Sequence, residues 1–123
     1  MGRLHRMKLH SVPFQMIQSG RKTIELRLYD EKRKVIQVGD RILFSNTSSQ
    51  ETLLVKVIQL HRFATFEALY QALPLLQCGY AEDNVGKAMP SDMLQYYSKE
   101  QQVKYGVVGI EISLISEYVS DGI

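Results

Sequence analysis

The densest run of side chains able to do chemistry is Gly20-Arg21-Lys22-Thr23-Ile24-Glu25-Leu26-Arg27. A lysine, a glutamate and an arginine this close together can hold an anion, read the polar edge of a ring, or act as an acid–base pair. If the run is a strand, its period of two puts Thr23, Glu25 and Arg27 on one face. Ile24, Leu26 and Leu28 take the other, with Lys22 at its mouth. Glu25 and Arg27 are then expected to pair on a polar face whose back is core, and Lys22 to curl round from the preceding turn to join them. A half-buried strand with a solvated outer face accounts for the same spacing, because unpaired charges belong in water.

The neighbouring elements must hold this strand in place. Arg6 to His10 reads as a first strand with Met7 and Leu9 toward the core. Ser11 is a candidate N-cap for a short helix with Pro13 in its first turn, Phe14 and Ile17 on one face, and Gly20 as its left-handed end. Gly20 also lets the backbone approach a ligand closely. Asp30 to Lys34 reads as a charged loop and Val38-Gly39-Asp40 as a turn into the strand Arg41 to Ser45. After a polar turn at Asn46 to Gln50, Glu51 to His61 is apolar enough on both faces to be a central strand. Thr65 caps a helix whose stripe is Phe66, Leu69, Tyr70 and Leu73, stopped by Pro74. The aperiodic stretch 75–89 is expected to fold over the barrel mouth. Pro90 and Ser91 open a helix with Met93, Leu94 and Tyr97 inward. Ser98 and Gln101 have capping-box spacing for another helix that ends at Gly106. Val107 to Leu114 is the last strand, with Val108, Ile110, Ile112 and Leu114 facing one way, and Ser120 to Ile123 are expected to fray. Glycines 20, 39, 79, 86, 106 and 109 each read as turn or cap residues.

Gly20, Lys22, Glu25 and Arg27 spell G-x-K-x-x-E-x-R, which resembles the hallmark motif of the ASCH-domain family. The likeness runs over nearly the whole chain. It takes in Met7 to His10, Val38-Gly39-Asp40, Tyr96-Tyr97-Ser98 and Tyr105-Gly106-Val107-Val108-Gly109-Ile110. It implies an α+β fold: a PUA-like mixed β-barrel of five to six strands with short helices at its edges, residues 1–123 forming one domain. It also implies an RNA- or nucleotide-binding module. In that reading the motif strand lines a cleft between the barrel and the 75–106 insertion. Lys22 and Arg27 hold a phosphate or base carbonyl, and Glu25 orients Arg27 or accepts from a base amino group. Tyr97 and Tyr105 offer stacking faces, and Gly20 completes the ligand-binding set.

The same family supplies an alternative. Some members resemble amidohydrolases of acetylated cytidine built on lysine, threonine and glutamate. Lys22 matches the lysine, but Glu25 occupies the threonine's place, Thr23 lies two residues earlier, and Glu67 is the nearest candidate for the glutamate. A small hydrolase of a modified nucleoside or of RNA, with Lys22 and Glu25 as acid and base, is thus the second reading. A protein-interaction module with a vestigial cleft is the third. RNA, DNA, a nucleotide and a modified nucleoside all fit as the ligand, and the oligomeric state is open.

Composition narrows the classes. With 45% hydrophobic and 23% charged residues, 123 residues suit one globular domain. No apolar run approaches the roughly 20 residues that span a bilayer, and the basic start lacks the apolar run of a signal peptide. The lone Cys78 fits a reducing, cytoplasmic setting and reads as incidental. His5, His10 and His61 have no metal-ligand spacing, and neither a metal nor a cofactor is expected. Nucleophile-elbow and phosphate-loop motifs are missing. The net charge of +2 is unevenly spread: residues 1–34 hold nine Lys or Arg against three Asp or Glu. A basic field of this kind attracts anionic partners, although Lys32-Arg33-Lys34 also reads as a solvated loop.

Overall fold

A computed structural model describes residues 2–119; Ser120 to Ile123, expected to fray, lie outside them. The chain runs β1 (Leu4–Leu9), α1 (Ser11–Gln18), β2 (Ile24–Leu28), α2 (Glu31–Lys34), β3 (Arg41–Asn46), β4 (Glu51–Phe63) and α3 (Phe66–Ala72). Three 3-10 turns follow at Leu75–Cys78, Val85–Lys87 and Pro90–Gln95, then α4 (Lys99–Tyr105) and β5 (Val107–Val119). The strands form one mixed sheet in the order β1-β3-β4-β5-β2. β1 and β3 are parallel, and the other neighbours are antiparallel. The sheet curls into a half-barrel with β4 at its centre, the place its two largely apolar faces suggested. Register shifts between β4 and β5 at Leu54/Val55 and Val57/Gln59 help it curl. Among the described residues no helix is long and apolar enough to cross a membrane.

Alternation decides what fills each side. Met7, Ile42, Phe44, Leu53, Val55 and Ile110 point into the concave face. There α1 plugs the half-barrel with Phe14 and Ile17. On the outside of β2, Ile24, Leu26 and Leu28 pack under Phe66, Leu69 and Tyr70 of α3. β2 is therefore covered on both sides, and the face carrying Glu25 and Arg27 is not a solvated one: Glu25 is 4% exposed.

Local chemistry explains most element ends. Thr65 caps α3 by accepting from Ala68 N at 3.1 Å. Ser98 and Gln101 form the expected box: Gln101 N donates to Ser98 Oγ at 3.1 Å and Ser98 N to Gln101 Oε1 at 3.0 Å. Other expectations need correction. Ser11 is the first helical residue rather than the cap, and its hydroxyl donates to Asn46 Oδ1 on β3. Asp30 to Lys34 is not a loop but a helical turn, because Asp30 accepts from Arg33 N and pairs with its guanidinium. Leu94 points out, since the segment is 3-10 with a threefold repeat. Leu114 is 40% exposed, at the register shift where β5 passes from Val55 to Leu54, and the buried face ends at Ile112.

Gly109 is neither turn nor cap. It lies mid-strand in β5 opposite Leu26. A Cβ there would stand 2.8 Å from Leu73 Cδ1 and 3.1 Å from Ile24 Cγ2. The missing side chain lets the end of α3 close on the motif strand. Gly109→Val is expected to cost about 1–3 kcal/mol through overpacking, measured by denaturant unfolding, and to loosen the strand that carries Glu25.

Candidate ligand-binding cleft

β1 and β2 are the two free edges of the half-barrel, and no backbone ladder joins them. Side chains bridge the seam instead. Arg27 Nε donates to Glu25 Oε2 at 2.6 Å, and Arg27 Nη2 reaches across to the Lys8 carbonyl of β1 at 3.0 Å. Lys22 Nζ meets the other oxygen, Glu25 Oε1, at 2.7 Å. One buried carboxylate thus holds two cations.

The backbone delivers Lys22 to this point. α1 ends on Gly20, whose φ of +82° only glycine adopts without strain. Lys22 N then donates to Met16 O at 3.0 Å, and Thr23 N to Gln77 O at 2.9 Å. The turn after Gln77 lies over the lysine stem. Gly79, with φ +113°, brings its backbone so near that a Cβ would stand 3.4 Å from Lys22 Cδ.

Burial alone would push the Glu25 carboxyl up, but the charges and hydrogen bonds of Lys22 and Arg27 outweigh it and hold the carboxyl below its ordinary value. For Arg27 burial likewise opposes the charge, and the Glu25 carboxylate more than reverses this, so its pKa is raised. Both groups stay ionised at neutral pH.

Above this network opens a cleft of about 600 Å³. The motif strand and β1 form one wall, and the 79–97 segment forms the other. The second wall is held by a chain of hydroxyls. Tyr70 OH and Tyr80 OH are 2.7 Å apart, and Tyr80 OH donates to Asp92 Oδ2 at 2.7 Å. That oxygen also accepts from Met89 N at 3.1 Å. Tyr80's bond holds the Asp92 carboxyl below its usual range, whereas burial and these bonds raise Tyr80. Burial pushes the Cys78 thiol up to about 11, so it is protonated and a poor nucleophile at neutral pH.

Of the residues singled out in the sequence, Lys22, Glu25, Arg27 and Tyr97 meet in the cleft. Gly20 shapes the turn but does not line it. Tyr105 is also outside the lining: at the end of α4 it packs in the cluster beneath α3, with Lys104 Nζ 5.1 Å from its ring. Thr23 Oγ1 sits 3.3 Å from Gln77 Oε1, and Glu67 is exposed in the first turn of α3; neither lines the cleft. Sequence reasoning missed Lys8, Tyr80, Asn84, Asp92, Gln95 and Tyr96, all of which line it. Only Tyr96, beside Tyr97, carried a readable signal.

Glu25→Gln would leave two cations facing each other without a counter-charge, at a cost of about 3–5 kcal/mol. The carboxylate's contribution is fully present above pH 4.5, its unperturbed pKa, and is lost as pH falls through the lower folded value. The gap in Tm between wild type and Glu25→Gln should therefore narrow on acidification from about pH 7 to pH 3, followed by thermal melts.

With this geometry in hand, the chain can be placed among known proteins. The ASCH domain family matches residues 7–116. The solved structure of hypothetical protein PH0355 is 34% identical, with 91% of this chain and 99% of that one aligned at a TM-score of 0.74. Protein PF0455 of Pyrococcus furiosus is 30% identical over 92% of this chain and 98% of its own, at a TM-score of 0.68. An ASCH protein of Zymomonas mobilis shares the fold at 13% identity, covering 97% of this chain and 75% of that one, with a TM-score of 0.66. No functionally curated protein matches the chain. By extent of match and by fold, the chain belongs to the ASCH-domain family, a PUA-like family often linked to RNA binding.

Proposed function

We propose that the chain is a one-domain RNA- or nucleotide-binding module whose cleft takes a nucleotide unit. The observation that carries this is the pair of cations fixed on buried Glu25 beneath an open cleft with tyrosines at its rim. Lys22 and Arg27 have more donors than Glu25 and the Lys8 carbonyl use, and the remainder can meet a phosphate or a base carbonyl. Because Glu25 already orients both, little reorganisation is needed on binding. Tyr97 stacks on Phe66 at 6.2 Å between ring centres, which steadies it, and Tyr96 stands 59% exposed beside it. Such rings stack on bases, and the Asn84 and Gln95 amides nearby can read base edges.

The hydrolase reading has one observation in its favour, the 2.7 Å contact of Lys22 Nζ with Glu25. The same contact argues against Glu25 as a general base, since a carboxylate held ionised by two cations is weakly basic. The Thr23 hydroxyl, turned toward Gln77, is not available as a nucleophile in the cleft.

Tyr96→Ala should weaken binding of a short single-stranded RNA by about 5- to 150-fold, the equivalent of one lost base stack. Lys22→Met, which keeps the stem and drops the charge, should weaken it as well. Fluorescence anisotropy titrations test both, with melting curves as a control for folding. Binding indifferent to both variants would defeat the cleft reading. Turnover of acetylated cytidine or RNA that Glu25→Gln abolishes would replace it with the hydrolase.

A further inference from the structure

The convex side of β1, β3 and β4 carries four exposed cations: Arg6, Lys8, Arg41 and Lys56. Their sequence neighbours Met7, Ile42 and Val55 are buried, so the alternation turns these four outward. Arg6 and Lys8 stand two residues apart on β1, about 6–7 Å along the strand. Arg41 pairs with Leu4 of β1 on one side and directly with Lys56 of β4 on the other. Among the described residues, none of the four side chains is in an ion pair. The acid on β5 near this face, Glu111, lies opposite Gln59 and is engaged with His61 at 2.9 Å.

Two features set this apart from an ordinary solvated face. Arg41 and Lys56 are like charges directly opposite each other, an arrangement that destabilises a sheet until an anion lies between them. Lys8 also lines the cleft, where its carbonyl accepts from Arg27, so the row of cations across three neighbouring strands starts at the cleft's edge. A free nucleotide in the cleft would leave Arg6, Arg41 and Lys56 unused. A polyanionic strand with one unit in the cleft would engage them with its following phosphates.

We propose that this convex face is a phosphate-backbone track for a single-stranded nucleic acid, so that the partner is a strand of several nucleotides rather than a free nucleotide. The inference rests on the reading that the cleft holds a nucleotide unit. The track reads charge and not the 2′-hydroxyl, so RNA and DNA strands both follow it, and discrimination between them falls to the cleft.

The test compares uridine monophosphate with oligouridylate and oligothymidylate of about ten nucleotides, bound to the full chain across a salt series. The oligomers should bind at least about tenfold tighter than the monophosphate. Arg41→Ser combined with Lys56→Ser should cost the oligomers about tenfold or more and leave the monophosphate unchanged. It should also flatten the slope of log K against log salt by about 0.7 for each phosphate no longer neutralised. Lys56→Glu separates binding from folding: it should raise Tm by relieving the repulsion with Arg41 while weakening oligomer binding. Oligomer binding untouched by these variants, with the monophosphate still bound, would overturn the track and leave the cleft reading standing. Failure of wild type to bind either probe would overturn both. Binding to phosphatidylserine vesicles that the double variant abolishes, with oligomer binding unchanged, would overturn the track in favour of a membrane surface.

Discussion

Glu25 is a carboxylate with almost no access to water, and its position governs the architecture around it. Removing a carboxylate from solvent is costly unless opposite charges and donors surround it. Lys22 supplies one partner and Arg27 the other, and each must be brought in by a different part of the chain. Lys22 depends on the end of α1 and on the turn after Gln77; Arg27 is steadied by the carbonyl of Lys8 across the seam. Apolar side chains of similar volume could stabilise such a site as well or better. Stability alone therefore does not account for an ionic centre here, and the proposed ligand-binding role of the cleft it opens into would.

The half-barrel leaves its two edge strands unpaired by backbone, and an open edge invites unwanted pairing. In this protein the gap is covered rather than closed. The guanidinium of Arg27 spans it, and the 75–106 segment folds over it. Up to α4 that segment is built of short 3-10 turns joined by loops, and the chain of bonds from Tyr70 through Tyr80 to Asp92 ties them together. Gly109 contributes from beneath, because a side chain there would push Leu73, at the end of α3, away from β2. The seam that a complete barrel would have sealed is the place where the cleft opens.

In the proposed reading the cleft and the convex face divide two physical tasks. In the cleft the cations are few, buried and oriented, which favours geometric selection of one unit. On the convex face they are exposed and repeated, which favours attraction that depends on salt rather than on shape. Lys8 belongs to both. Of the nine basic residues in the first 34 positions, Lys22 and Arg27 lie in the cleft and Arg6 and Lys8 on β1, while the Lys32-Arg33-Lys34 run at α2 makes up another three.

The elements were legible in the sequence wherever one local rule decided them. Period two gave the buried faces of β4 and β5, and the i, i+3, i+4 stripe gave α3. Thr65, Ser98, Gln101 and Gly20 marked helix ends through bonds or backbone angles set within a few residues. The pairing of Glu25 with Arg27 was readable too, because residues two apart on a strand share a face. What could not be read were facts that depend on residues far apart in the chain. Burial of the motif's polar face came from α1 and the insertion packing around it. Exclusion of Tyr105 from the cleft came from the way α4 meets the cluster beneath α3. The roles of Asp92 and Tyr80 came from a contact between two turns that have no period to announce them. Local sequence sets which conformations a segment prefers, and only the closing of the sheet decides which side chains then lose water and must find one another.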